Sequence, residues 1–190
     1  MGLGVTLTPG TIAAIVSGCR PRDTATFSFL TEREAAIVDG LCEAIIPQTD
    51  TPGARASGVV HYVDMLLAEF SDDGERSAFR DRVAEIAAWL DHNGAATIDE
   101  LDADTRDALV RTLDAYAFPD DYRDVEDAVV SGGSRVQGIP IADPPLFRML
   151  KPWTVAGYYT SEVGATQELR LNPMTPYRDV PLLEVGRTWA

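Results

Sequence analysis

Apolar positions spaced three and four residues apart predict the first helix of the chain. Residues 31–34 (TERE) form a capping box, in which a hydroxyl and a carboxylate bond backbone N–H groups that the first turn leaves unpaired. Ile37, Leu41 and Ile45 follow on one face until Pro47 interrupts the pattern. We therefore predict a helix from the capping box to the residues before this proline.

A loop separates this helix from the second. Residues 47–54 (PQTDTPGA) contain two prolines and a glycine, which leave little room for regular structure. Apolar side chains then recur at helical spacing from Val59 to Phe70, and Ser57 is the predicted N-cap. The pattern thus predicts a turn-rich loop between two amphipathic helices.

Caps and apolar faces predict the third and fourth helices. Asp72 and Glu75 repeat the capping logic, and residues 93–94 (NG) supply a left-handed stop. The fourth helix begins at about Asp104, with acids in its first turn that favour the positive end of the helix dipole, and ends at Pro119. The apolar faces comprise Phe79, Val83, Ile86 and Leu90 in the third helix and Leu109, Leu113 and Tyr116 in the fourth.

The last predicted helix begins at Leu146 and contains Pro152, which is expected to kink it or to start a new helix. Residues 124–130 are compatible with one further helical turn, and prolines break the chain beyond Leu171. The apolar side of the last helix comprises Leu146, Met149, Leu150, Trp153, Ala156 and Thr160.

Neither a repeat nor a long alternating strand pattern is present, so the fold class is predicted as all-α. We expect a compact helical domain of about five helices over residues 30–171. An apolar N-terminal arm over residues 1–29 precedes it, and an extended C-terminal tail over residues 172–190 follows it.

Composition and charge narrow the function. The chain has 190 residues, enough for one core that buries roughly 70% of the unfolded surface. Its 16 Lys and Arg against 30 Asp and Glu give a net charge of −14, which repels nucleic acid and anionic lipid surfaces. Two cysteines and two histidines are too few for a disulfide scaffold, a four-cysteine zinc site or a histidine-rich metal site. The longest mostly apolar stretch, residues 3–18, falls short of the roughly 20 residues of a membrane-spanning helix.

The N-terminal arm carries a candidate processing signal. Residues 16–19 (VSGC) resemble the cleavage box of a bacterial lipoprotein, which makes Cys19 a candidate for lipidation, but no basic region precedes the apolar stretch. Two interpretations follow: the sequence starts inside an export signal, or the arm is retained and packs against a surface. We favour the second.

Motifs for familiar catalytic and cofactor sites are absent from the sequence. His61 with Asp64 is either an acid/base pair or, as we favour, a surface histidine beside an acid. The acidic clusters at 99–104 and 120–127 lack the glycine and glutamate of a calcium loop and are favoured as solvated faces. Cys42 is expected to be a small, partly buried residue. We therefore predict no catalytic, cofactor or metal site in this chain.

Aromatic and hydroxyl side chains concentrate in residues 153–163, which favours a contact with another protein because such side chains give large contact area at low entropic cost. We expect Tyr158, Ser161 and Glu162 on the side away from the core, while Trp153 and Tyr159 fit the core and the interface equally. The predicted partner interface comprises Trp153, Tyr158, Tyr159, Ser161, Glu162, Tyr177 and Trp189.

Three stretches together resemble one protein family, the gluconate 2-dehydrogenase subunit 3 family. The likeness extends from Leu30 onward, and the order and spacing of the pieces make it specific. The first stretch comprises residues 43–47 (EAIIP), 51–55 (TPGAR) and 58–64 (GVVHYVD); the second is 157–166 (GYYTSEVGAT); the third comprises 176–177, 180–182 and 185–190 (VGRTWA).

The resemblance implies an accessory role in an oxidoreductase complex. Such subunits accompany a large FAD-containing flavoprotein of the glucose–methanol–choline type, often with a c-type cytochrome, and typically carry a twin-arginine export signal. Here Arg20 and Arg22 are split by Pro21 and follow the apolar stretch, which departs from that signal. Family members serve gluconate, sugar and glucoside dehydrogenases, so the likeness does not transfer a substrate.

We therefore predict a non-catalytic small subunit of a bacterial FAD-dependent dehydrogenase complex. It would bind and stabilise the flavoprotein and assist its maturation or export to the periplasm, where partners could hold it at the membrane. Two alternatives remain: a stand-alone enzyme that uses His61, Asp64 and Glu162, and a lipid-anchored periplasmic binding protein attached through Cys19.

Overall fold

The computed structural model describes residues 26–119, 138 and 143–169, and in these residues it contains helices and no strand. The prediction of an all-α fold is confirmed. The helices are α1 (Glu32–Ile45), α2 (Val59–Met65), α3 (Asp73–His92), α4 (Ala103–Ala117) and α5 (Leu146–Thr160). A 3₁₀ turn (Ile98–Glu100) precedes α4, and π-helical turns extend α2 (Leu66–Phe70) and follow α5 (Gly164–Glu168). The predicted turn at 124–130 lies outside the described residues.

Helix α1 lies at the centre of the domain. No residue of α1 after Arg33 is exposed, and α1 contacts each of the other four helices. The close approach depends on Gly40, because a Cβ there would lie 2.7 Å from the Cβ of Ile98. The apolar face predicted for this helix is therefore only part of its buried surface.

Local capping signals gave the right helix starts in two places. Thr31 and Asp72 both form complete capping boxes, with Glu34 and Glu75 as their partners. The stop after α3 is also confirmed, since Gly94 has a φ of +74°.

The predicted cap of α2 is wrong. Gly58, and not Ser57, is the N-cap residue of α2, and its φ of +70° is a left-handed conformation that favours glycine. The Ser57 hydroxyl instead donates to the Gly53 carbonyl at 2.9 Å and so stabilises the preceding loop.

The buried face of α5 also differs from the prediction. The helix continues through Pro152, which lies on the exposed side, where water can bond the Arg148 carbonyl that loses its helical donor. Thr160 is exposed and Ala156 is only partly buried. The core side of the helix instead includes a threonine and a glycine, which a pattern of apolar residues does not mark. The buried residues of α5 are Leu146, Phe147, Leu150, Thr154, Gly157 and Tyr158.

Candidate functional site

Asp64, a predicted acid/base candidate, is a buried structural carboxylate. It is only 5% exposed. Its Oδ2 accepts a hydrogen bond from the Ser28 N–H at 2.7 Å, and its Oδ1 accepts from the N–H groups of Phe29 (2.9 Å) and Leu30 (2.8 Å). Three backbone donors thus compensate the buried charge, which would otherwise be costly.

The neighbouring side chains hold the same segment. The His61 ring stacks on Phe27, with ring centroids 4.9 Å apart and 13° between the planes. On α3, the Arg80 guanidinium lies 4.2 Å from the Phe29 ring centroid and donates to the Phe29 carbonyl at 3.0 Å. We call this arrangement of His61, Asp64 and Arg80 around residues 27–30 the N-terminal clasp. It uses the His61 and Asp64 side chains to attach the chain that precedes α1.

Glu43 organises the loop between α1 and α2. Its Oε1 accepts from the Gln48 N–H and its Oε2 from the Arg55 N–H, both at 2.9 Å. Gly53 lies directly against this carboxylate, because a Cβ there would be 2.6 Å from both oxygens. The loop is therefore folded around one side chain of α1.

The Arg55 side chain closes this loop from outside. Its Nε donates to Asp39 at 2.5 Å and its Nη2 donates to Asp99 at 2.6 Å. The pKa of the guanidinium is raised, mainly by the hydrogen bond with Asp39. Beside it lies a cleft of about 390 Å³ between α1, the loop and α4. Of the two predicted acidic clusters, residues 99–104 serve the fold here, since Asp99 binds Arg55 and Asp102 caps α4; residues 120–127 lie outside the described part of the chain.

The end of α5 packs against the other side of the same loop. The Tyr158 hydroxyl donates to the Pro52 carbonyl at 2.9 Å, and Gly157 lies so close to Tyr62 that a Cβ would be 2.7 Å from its Cδ1. Beyond α5, the Thr51 hydroxyl donates to Glu168 at 2.8 Å. Residues 43–47, 51–55, 58–64 and 157–166, which are separate in the sequence, therefore meet at one place in the fold.

Cys42 lies in the core against α5. Its Sγ is 3.3 Å from the Thr154 Oγ1, which also donates to the Leu150 carbonyl at 2.7 Å. Burial raises the pKa of the thiol to about 12. The thiol is neutral at physiological pH and is not activated as a nucleophile.

The structure places some residues of the predicted partner interface in the core and others at the surface. Tyr158 was expected to face outward, but it is 1% exposed; this expectation is wrong because its ring is buried and its hydroxyl donates to the Pro52 carbonyl of the loop between α1 and α2. Trp153 is partly buried and stacks on Phe79 at 6.0 Å. Ser161 is used locally, since it donates to the Tyr158 carbonyl and accepts from the Gly164 N–H.

The remaining predicted residues are exposed or lie elsewhere. Tyr159 is 39% exposed and Glu162 is exposed, at the end of α5 and just beyond it. Among the described residues, Glu162 forms no hydrogen bond with His61 or Asp64. The side chains of His61 and Asp64 instead contact the segment 27–30 in the N-terminal clasp. Cys19, Tyr177 and Trp189 lie outside the described residues.

Sequence reasoning missed a row of exposed residues on α5. Arg148, Pro152, Val155 and Tyr159 follow one another at spacings of four, three and four, and all are exposed. We call these four residues the outer stripe. The signal was available in the sequence, because the same helical spacing that marks a buried face also marks the face opposite to it.

Within residues 26–119, 138 and 143–169 we find no group of three or more side chains able to hold a metal ion. No helix in that part of the chain is long and apolar enough to cross a membrane.

Comparison with known proteins gives one result. The family model of gluconate 2-dehydrogenase subunit 3 matches residues 32–176, which is most of the chain. No curated protein and no solved structure matches it significantly. The match contains all the described helices and the loop that they enclose. The chain therefore belongs to the gluconate 2-dehydrogenase subunit 3 family, a family of small subunits of dehydrogenase complexes.

Proposed function

We propose that this chain is a non-catalytic subunit of a bacterial FAD-dependent dehydrogenase complex. It binds the catalytic flavoprotein, stabilises it and assists its maturation or its export to the periplasm. The flavoprotein is of the glucose–methanol–choline type and oxidises a sugar, a glucoside or gluconate, and a c-type cytochrome is a candidate third subunit. The family match over residues 32–176 is the observation that carries this proposal.

The geometry supports a binding role because side chains with catalytic potential are used to hold the fold. Both oxygens of Asp64 accept backbone N–H groups, and so do both oxygens of Glu43. The Cys42 thiol is neutral and buried. FAD is expected in the partner subunit.

The subunit would act by mass action. A protein that binds only the folded flavoprotein shifts that flavoprotein away from its unfolded and misassembled states. At a free concentration of 100 times the Kd, the stabilisation amounts to about 2.7 kcal/mol. The effect requires a stable contact surface and no chemistry in the small subunit.

The test is to express the flavoprotein with and without this chain. We expect the flavoprotein alone to be poorly soluble or low in FAD, and co-expression to raise its soluble yield, its FAD content per chain and its activity together. An unrelated protein expressed at the same level is the control. A flavoprotein that is equally soluble, FAD-loaded and active without this chain would refute the stabilising role.

A further inference from the structure

The outer stripe of α5 is unlike the exposed face of α3, the longest of the described helices. On α3, the exposed positions at the same spacing are Ser77, Asp81, Ala84 and Ala88, which are polar, charged or small. On the outer stripe, Val155 is 41% exposed and Tyr159 is 39% exposed, with Pro152 one turn before them. Three successive apolar or aromatic side chains on the solvent side of one helix suit a protein contact.

The charge of the outer stripe also differs from that of the rest of the chain. The net charge is −14, yet α5 contains two cations and no acid from Leu146 to Thr160. Lys151 is neutralised by Asp114, with Nζ to Oδ distances of 2.7 and 2.9 Å. Arg148, in contrast, forms no ion pair with any residue that the structure describes. Within residues 26–119, 138 and 143–169, the stripe therefore has a cation without an ion-pair partner at one end of an apolar row.

The opposite side of α5 is fixed in the fold. Gly157 lies against Tyr62, and the Tyr158 hydroxyl bonds the Pro52 carbonyl. The helix is therefore already held in place when a partner binds the outer stripe, so binding does not include the entropic cost of ordering the helix.

From these observations we infer that the outer stripe is the face that docks on the dehydrogenase subunit, which contributes an apolar patch and a carboxylate opposite Arg148. This inference rests on the proposed function. A second copy of this chain fits less well, because two stripes without an acid would leave both copies of Arg148 unneutralised. An anionic membrane fits less well because the net charge of −14 repels it.

The test measures the affinity of the full chain for the FAD-containing dehydrogenase subunit isolated from its native complex. We expect Val155→Glu and Arg148→Glu each to weaken binding about tenfold or more, since the first places a charge in the apolar row and the second reverses the cation. Ala88→Glu on α3 and Arg111→Glu on α4, which are exposed on other faces, are the matched controls and should bind like the wild type. Thermal unfolding of each isolated variant checks that the fold is retained.

The outcomes separate this inference from the proposed function. If the wild type does not bind the dehydrogenase subunit, the proposed function fails. If the wild type binds and both outer-stripe variants bind equally well, the inference is overturned and the proposed function stands. The inference is also overturned if Val155→Glu destabilises the isolated chain far more than Ala88→Glu does, which would mean that the chain itself covers the stripe. A wild-type dimer that Val155→Glu converts to a monomer would overturn it in favour of a second copy.

Discussion

The hydroxyl of Tyr158 donates a 2.9 Å hydrogen bond to the carbonyl of Pro52, although 106 positions separate the two residues. The bond joins α5 to the loop that α1 holds through Glu43. It thereby connects two of the sequence stretches that resemble the family, 51–55 and 157–166. These stretches build one structural junction in the fold, and the contact face that we infer lies on the outer side of α5.

The Tyr158 bond can be removed without changing the ring. Tyr158→Phe should lower the free energy of unfolding by about 1 kcal/mol, because the Pro52 carbonyl loses its donor. Urea unfolding measures the change. Tyr159→Phe is the control, since that side chain is 39% exposed and should leave the stability within about 0.5 kcal/mol of the wild type. Equal stability of the two variants would contradict the role assigned to the bond.

The N-terminal clasp should depend on the charge of Asp64. Asp64→Asn places an amide NH₂ group against backbone N–H donors, so we expect a loss of about 2–3 kcal/mol in the free energy of unfolding. Asp81→Asn, at an exposed position of α3, is the control with little expected change. Hydrogen exchange of the Ser28 to Leu30 amides should accelerate in the Asp64 variant. Unchanged protection of these amides would show that the carboxylate does not hold the segment.

The contact between Gly157 and Tyr62 should not tolerate a methyl group. Gly157→Ala is expected to cost about 1–3 kcal/mol of stability, because the new Cβ would lie 2.7 Å from the Tyr62 ring. Tyr62→Ala in the same chain removes the ring, including the Cδ1 and Cγ atoms that the new Cβ would meet. The double variant should therefore lose less stability than the sum of the two single variants, as measured in a double-mutant cycle. Strict additivity would contradict the close approach.

The raised pKa of Cys42 predicts that the free energy of unfolding decreases at high pH. Its pKa is about 12 in the fold against an ordinary value of 9.0. Both states are protonated below pH 9, so the contribution of this group to stability is fully present there. Above pH 9 the unfolded thiol ionises first, and the contribution is lost as the pH rises towards 12. Cys42→Ala should lose less stability over this range than the wild type.

Thiol labelling tests the same burial directly. In a Cys19→Ser background, in which Cys42 is the one remaining cysteine, a thiol reagent at pH 8 should react slowly with the native chain and quickly in urea. Rapid labelling of the native chain would contradict a buried, neutral thiol.

The structural features that could be predicted from the sequence are those that depend on residues close to one another in the chain. The capping boxes at Thr31 and Asp72 involve partners three residues away, and the apolar face of α3 repeats within one helix, so pattern and spacing were sufficient. Ser57 is predicted as the N-cap of α2 because serine is a favoured cap residue. The left-handed conformation that makes Gly58 the cap belongs to a loop that closes on Glu43, and the local sequence does not show this closure.

Contacts between segments that are far apart in the sequence could not be predicted from the sequence alone. The Asp64 carboxylate binds amides 34 to 36 residues earlier, so it could be read only as a possible partner of His61. Tyr158 was placed outside for the same reason, because its hydroxyl partner lies on a distant loop. The outer stripe, by contrast, is a pattern within one helix that could have been found by considering the exposed face.

The most direct test of the central claim is the composition of the native assembly. The tagged full-length chain is purified gently from its native source, and the product is analysed for mass, flavin absorbance and the identity of the co-purifying protein. The account predicts a complex that contains a FAD-bound dehydrogenase subunit in fixed stoichiometry with this chain. A chain that elutes alone, without flavin, while an active and FAD-loaded dehydrogenase elutes separately, would contradict it.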